Sequence, residues 1–276
     1  MSSSISWTDA TLNHIVGCDK VSFECDNCYA VKMAYRQEAM GRSQYQGTTT
    51  YDDGVAWTGV VNRAPDHVLQ APLKQDKPTI YFVSSMGDYF HKNAKDNWRL
   101  EVLKVAEQCP HHVFMIPTKR VQNIMPFLKR TGITLPPNVW IGVSVGSRKA
   151  VKRIELLKKV PASILFISAE PVLEDLGEID LAGIDFVAVG GESGPGARLM
   201  KASWVRKIRR QCKDAGAIFH FKQWGTYPGN NPIARKAPPN VNVQDWVAEQ
   251  DPHGKGGALL DGKLYREMPK MRRSRS

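Results

Sequence analysis

The chain has 276 residues, 42% hydrophobic and 24% charged, with a formal net charge of +11 and a pI near 9.4. This composition excludes a disordered protein, and the length is enough for one large α/β core. No apolar run approaches the roughly twenty residues of a membrane helix, and the first residues lack the basic and apolar segments of a signal peptide, so a cytoplasmic monomer is expected.

Residues 1–12 are polar, with Trp7 and Leu12 as anchors, and Asn13–Val16 reads as a first strand that delivers Cys18 to its end. Cys18, Cys25 and Cys28 then stand in a C-x6-C-x2-C spacing on a loop rich in Asp, Lys and Asn. Core cysteines do not crowd a polar loop in this way. Thiolates are soft ligands, and three of them can hold zinc, which takes four ligands, or an iron–sulfur cluster with one iron left open. His14 is near enough in sequence to complete a zinc site. Cys109 and Cys212 fall in helical contexts and read as structural. An odd number of cysteines disfavours a secreted disulfide framework and fits a reducing compartment. A helix follows over Cys28–Met40, stopped by Gly41. Residues 42–54 have no periodicity and read as an exposed loop beside the thiols, able to serve as a lid. Trp57–Val61 reads as a strand and Asp66–Leu73 as a short helix.

From Thr79 a regular alternation begins. Strands are expected at Thr79–Ser84, Val113–Pro117, Val139–Val143, Ile164–Ser168, Phe186–Val189 and Ile218–Lys222. Helices are expected at Asp96–Gln108, Val121–Arg130, Arg148–Lys159 and Ser203–Ala215. In the last helix Trp204, Ile208 and Cys212 form an apolar stripe at helical spacing. Apolar strands separated by helices predict an α/β fold with a parallel sheet, either a barrel or a doubly wound sheet. Neither a G-x-G-x-x-G fingerprint nor a P-loop is present. Beyond Gly225 the pattern fades into a C-terminal extension, residues 226–276, with a small hairpin turning at Asp261-Gly262 and a basic tail.

Parallel α/β folds place their sites at the carboxyl ends of strands. The expected ends carry Ser84-Ser85-Met86-Gly87-Asp88, Thr118-Lys119-Arg120, Ser144, Ser168-Ala169-Glu170-Pro171, Gly190-Gly191-Glu192-Ser193-Gly194 and Lys222-Gln223-Trp224-Gly225. Basic residues gather on Arg148, Lys149, Lys152, Arg153, Lys158 and Lys159, on Arg206, Lys207, Arg209, Arg210 and Lys213, and in the tail at Lys270, Arg272, Arg273 and Arg275. Such clusters are the footprint of a nucleic-acid partner.

With these motifs, together with Trp7-Thr8-Asp9 and the run from Gly194 to Arg198, the chain resembles a family of phage and prophage proteins with a three-cysteine motif, related to the radical S-adenosylmethionine (SAM) enzymes. The first cysteine gap is three residues longer than the usual C-x3-C-x2-C of those enzymes. The resemblance implies a partial or full (β/α) barrel of the radical SAM type over residues 1–225, with the cysteine loop at its carboxyl mouth. It further implies that Cys18, Cys25 and Cys28 ligate a [4Fe–4S] cluster whose fourth iron binds SAM, cleaving it to a 5′-deoxyadenosyl radical. Ser85 and Asp88 are then expected at the SAM amino group, Ser144 and Glu170 at its ribose, and the Gly190-Gly191 backbone at its adenine or carboxylate. Lys119, Lys222 and Gln223 are the expected catalytic residues facing substrate. An external electron donor is required. The expected substrate is a nucleic-acid base, foremost a thymidine of phage DNA undergoing hypermodification by rearrangement. Repair of a DNA photoproduct by a lyase, tRNA base modification, and a zinc-binding nucleic-acid module are the alternatives.

Overall fold

A computed structural model of the protein describes residues 5–227, 239–240 and 256–270. The tail arginines Arg272, Arg273 and Arg275 lie outside these residues, as does most of the stretch between Gly225 and the hairpin. In chain order the elements are β1 (Ala10–Leu12), β2 (Ile15–Val16), α1 (Tyr29–Ala39), β3 (Thr49–Asp52), β4 (Gly54–Trp57), β5 (Asn62–Arg63), α2 (Asp66–Leu69), β6 (Ile80–Val83), α3 (Asp96–Gln108), β7 (Val113–Thr118), α4 (Ile124–Thr131), β8 (Val139–Ser144), α5 (Arg148–Leu157), β9 (Leu165–Ala169), β10 (Phe186–Gly190), α6 (Ala202–Ala215), β11 (Ile218–Gln223), β12 (Leu259–Leu260) and β13 (Lys263–Leu264).

Seven strands form one parallel sheet in the order β1-β6-β7-β8-β9-β10-β11, curled into a half-barrel. The two edge strands do not pair, so the barrel is partial. Side-chain alternation divides the sheet between two cores. Ile116, Ile141, Val143, Leu165, Ile167, Val187 and Val189 face the helices and join Val102, Leu103, Ile154 and Ile208 in the main core. Met115, Trp140, Phe166, Phe186 and Ala188 fill the other face with Trp7. Packing there is tight, because a Cβ on Gly142 would run into the Phe166 ring. The Ser6 hydroxyl lies 2.9 Å from His220 Nε2, so the segment before β1 passes along β11 on the open side.

Three local differences from the sequence pattern have physical causes. Asn13 does not continue a strand: its side-chain oxygen accepts from Ser85 Oγ at 3.0 Å and Met86 N at 3.1 Å, which turns the chain between β1 and β2. The aperiodic stretch after α1 is not a loose lid, since it contains the hairpin β3–β4. Glu38 of α1 anchors that hairpin, accepting from Gly47 N at 2.6 Å and Thr49 Oγ1 at 2.7 Å. Helix α2 ends early because Pro72 starts a separate 3-10 turn. The C-terminal hairpin β12–β13 turns through Asp261 and Gly262 at φ 52° and 74°, and buries Leu260 in the main core. No described helix is long and apolar enough to cross a membrane.

Candidate functional site

The chain reaches the first cysteine through a close approach of backbones. Gly17 bridges to Gly87 just beyond β6, and it does so at φ 94°, where a Cβ would also collide with the Val60 carbonyl. Cys18 is thereby set at the carboxyl edge of the sheet. Behind it lies Asp88, buried, whose carboxylate accepts from Thr118 Oγ1 at 2.6 Å, Phe90 N and Lys119 N at 3.0 Å each, and Arg120 Nη1 at 3.1 Å. Arg120 turns the same guanidinium to the cysteine loop. Its Nη1 lies 3.5 Å from Cys18 Sγ, and its Nη2 donates to the Asp19 carbonyl at 3.0 Å and closely to the Asp19 carboxylate. Burial pushes the Cys18 thiol up to about 12, Asp88 adds to this, and Arg120 opposes it.

The second cysteine is held through its neighbour. Phe23–Cys25 forms a 3-10 turn that pushes Glu24 into the end of β8, where it accepts from Gly146 N and Ser147 Oγ at 2.9 Å each and from Arg153 Nη1 at 3.2 Å. Burial works to raise the Glu24 pKa, but the hydrogen bonds from Ser22, Ser147 and Gly146 and the charge of Arg153 outweigh it and hold it below the ordinary value.

The third cysteine is held in the same manner. Asn27 Nδ2 donates to Glu192 Oε2 at 3.0 Å and to the Gly196 carbonyl at 2.8 Å. Glu192 is itself gripped by Arg198 at 2.6 and 2.8 Å, and Arg198 Nη1 donates to the Phe23 carbonyl at 2.9 Å. Each cysteine thus has a neighbour in sequence, Asp19, Glu24 or Asn27, tied to a different strand end: β7, β8 or β10. The loop is laid across the sheet edge and fixed at three points.

All three thiols are free and half-buried. Cys28 packs beside Val16, Ala30, Ala34, Tyr45 and Met86. Tyr29, the first residue of α1, donates to the Ser85 carbonyl at 3.2 Å. Among the described residues no group of three or more His, Cys, Asp or Glu side chains is placed to hold a metal ion. His14 is fully buried; its Nε2 pairs with Glu101 at 2.8 Å and its Nδ1 has no partner among the described residues.

The residues expected at the cofactor and substrate meet varied fates. Ser85, Asp88, Lys119, Ser144, Glu170, Gly190, Lys222 and Gln223 all lie at carboxyl ends of strands of the half-barrel or directly beyond them. Lys222 Nζ pairs with Glu170 at 2.5 Å, and Glu170 also accepts from Trp7 Nε1 at 2.8 Å. Gly190 lies against this pair: a Cβ built on it would sit 3.4 Å from Glu170 Cγ and 3.5 Å from Lys222 Cβ, in van der Waals contact with both. Lys119 has a side chain with no partner among the described residues. Others have internal work. Gln223 is buried and donates to the Gly191 carbonyl and Ser193 Oγ at 3.2 Å each, so it braces the glycine turn and does not face a substrate. Gly191 N donates back to the Gln223 carbonyl at 3.0 Å, which takes that amide from any ligand. Ser85 Oγ is bonded to Asn13, and Asp88 is enclosed by its four donors, so neither is open toward an amino group. Ser144 offers its carbonyl to Arg153 at 2.7 Å.

The basic helices also differ from expectation. Arg153 is a mostly buried partner of Glu24 and of the Ser144 carbonyl, so its guanidinium is committed within the chain. Arg206 grips Asp261 at 2.6 Å, Lys207 lies 3.3 Å from Glu178, Arg210 3.5 Å from Glu178, and Lys158 2.5 Å from Asp180. The sequence left Asp19, Glu24 and Asn27 unremarked, and it marked Arg120, Glu192 and Arg198 within their motifs without their role as clamps. The signal was available as a polar residue beside each cysteine, and only the partners were hidden.

Over residues 2–269 the chain matches the family described as Protein of unknown function (DUF5131). No curated protein and no solved structure matches it.

Proposed function

The chain belongs to the DUF5131 family of proteins of unknown function, and from that premise we propose that it is a radical SAM enzyme acting on a nucleic-acid base, with Cys18, Cys25 and Cys28 as ligands of a [4Fe–4S] cluster. The observation that carries this reading is the loop: three free thiols fixed at three points across the mouth of a parallel half-barrel. The donor set fits the group. Three soft ligands suit an iron–sulfur cluster, and the Arg120 N–H near Cys18 Sγ opposes the effect of burial and favours a thiolate ligand. A single ion would require the thiols to converge, whereas in a cubane each thiolate binds its own iron. Anchoring the neighbour of each cysteine at its own strand end is compatible with the second arrangement.

Bound there, the cluster with SAM would supply an electron to the sulfonium and a 5′-deoxyadenosyl radical that takes a hydrogen from substrate. The protein's part is to orient and to exclude water. Trp7, Phe82, Trp140 and Phe166 close the floor of the half-barrel beneath the polar edge. The Glu170–Lys222 pair offers one anion and one cation at the carboxyl edge beside the Gly190 backbone, suited to a polar ligand. Tyr29 sits beside the third cysteine, half-exposed at 55%, as a ring against which a flat ligand can lie.

The substrate favoured is a thymidine of phage DNA, rearranged in a hypermodification; a photoproduct lyase and a tRNA-modifying enzyme would use the same site. A zinc-binding module completed by His14 is disfavoured, because among the described residues His14 and the thiols do not gather into a group placed to hold one metal ion. Anaerobic incubation of the reconstituted protein with SAM, a reductant and candidate DNA or tRNA, followed by digestion to nucleosides and mass spectrometry, tests the reading. A new nucleoside mass that depends on SAM is expected; SAM cleavage without any change in DNA or RNA would remove nucleic acid as substrate.

A further inference from the structure

The cations of this protein divide into two populations. Those on the outer body of α6, namely Arg206, Lys207 and Arg210, meet carboxylates of their own chain. A different set stands on the carboxyl edge of the sheet. Lys119 follows directly on β7, Lys149 and Lys152 occupy the first turns of α5 after β8, and Lys201 is the N-cap of α6 after β10. In a parallel sheet these positions share one edge, the edge that also carries the cysteine loop. Lys149, Lys152 and Lys201 are exposed and Lys119 is half-buried; no carboxylate of the described residues pairs with any of them.

Aromatic rings stand among these lysines. The Lys201 ammonium lies 5.6 Å from the Trp204 ring centre, and Phe23, 39% exposed, sits in the cysteine loop with Arg198 5.6 Å from its centre. The amino ends of α5 and α6 face the same edge and add positive partial charge. Lysines without a carboxylate partner, with two partly exposed rings on the same curved edge, match the chemistry of a nucleic-acid strand: phosphates pair with the ammonium groups and bases stack on the rings. A protein partner would be better served by an apolar surface free of unpaired lysines.

We propose that Lys119, Lys149, Lys152 and Lys201 form a track for the phosphates of a single-stranded nucleic acid, bringing it over the mouth of the half-barrel. This rests on the reading that the mouth acts on a base, and it narrows the contact surface from the whole of α5 and α6 to their amino ends and the rim. A single strand is the fitting form, because a base within a duplex must leave its stack before chemistry can reach it.

The test is fluorescence anisotropy with a labelled single-stranded DNA 12-mer, on protein without a cluster, at several salt concentrations. A rim variant carrying K119Q, K149Q, K152Q and K201Q is compared with a control carrying K104Q, K129Q, K159Q and K213Q, four exposed lysines away from the mouth. Both lose the same charge. The rim variant is expected to bind about tenfold or more weakly at low salt, with a log–log salt slope flattened by up to about 2.8, from roughly 0.7 per phosphate contact. The control should change less than about twofold. Equal weakening of both variants, or no binding by the unmodified protein, overturns the track. Because no cluster is needed, a failure of the radical chemistry leaves this result unmoved: binding lost at the rim without SAM cleavage sustains the track alone, and SAM cleavage without a rim effect sustains the enzyme alone.

Discussion

The Glu24 carboxylate lies 3.2 Å from the Arg153 guanidinium, and the two side chains are 1% and 11% exposed. An acid adjoining the second cysteine is thereby locked to a helix that follows β8. Removing one member of such a pair strands the other charge in a dry site, at a cost of about 3–5 kcal/mol. Glu24→Ala is therefore expected to lower unfolding free energy in urea by about 3 kcal/mol or more, and Arg153→Lys by less. A wild-type urea midpoint for Glu24→Ala would mean that the clamp does not contribute to holding the loop.

The same carboxylate sets an acid limit. Its folded pKa is depressed, so its contribution is complete above the unfolded carboxylate pKa and disappears as pH falls through the folded value. His220 acts at higher pH. Burial, with the charge of Arg266, lowers its pKa to about 4 from 6.5, so the neutral ring is favoured in the fold, and stability should decline as pH falls from about 6.5 toward 4. A shift of that size corresponds to about 3 kcal/mol. Urea midpoints at pH 7 and pH 5 should differ more for wild type than for His220→Asn; an equal difference would remove His220 as the source.

Accessibility separates the cysteines into two groups. Cys109 and Cys212 are 2% and 0% exposed, while the other three are half-buried. Burial also raises the Cys212 thiol to about 12. In native protein without metal, a thiol reagent at neutral pH should modify no more than the three loop cysteines, with Cys18 slow among them because its thiol is raised too. All five should react in denaturant. Native labelling of Cys109 or Cys212, read by peptide mass spectrometry, would contradict this placement.

Asp88 joins β6 to β7 and, through Arg120, to Cys18. Asp88→Asn keeps the shape but removes the charge facing Arg120 and turns a donor toward other donors. A loss of about 2 kcal/mol is expected, together with faster modification of Cys18. Unchanged Cys18 reactivity with lowered stability would confine Asp88 to a structural role.

Much of the half-barrel was legible in the sequence because buried parallel strands are near-continuous apolar runs, as in Val139–Ser144 and Phe186–Gly190, and the helices between them keep their 3.6-residue period. The β3–β4 hairpin was not legible, since β3 is polar and mostly exposed, β4 is only the four residues Gly54–Trp57, and the pair is held from outside by Glu38. Cys18, Cys25 and Cys28 stood out by spacing alone. Their supports did not, because Arg120, Arg153 and Arg198 lie 102, 128 and 170 positions from Cys18, Cys25 and Cys28, and charge in sequence reads as surface until its partner is known. Arg153 is the clearest instance: it reads as a phosphate contact and proves to be a buried anchor. The longer first gap has a physical counterpart as well, in the 3-10 turn that carries Glu24 into the sheet edge.

The central claim is tested most directly by metal and product analysis after anaerobic reconstitution with iron and sulfide. Brown protein with about four irons and four sulfides per chain is expected, converting SAM on reduction to methionine and 5′-deoxyadenosine. Both properties should be lost in Cys18→Ala, Cys25→Ala and Cys28→Ala, and kept in Cys109→Ala and Cys212→Ala. Colourless protein with stoichiometric zinc, or full iron content and SAM cleavage in any of the three loop variants, would contradict it.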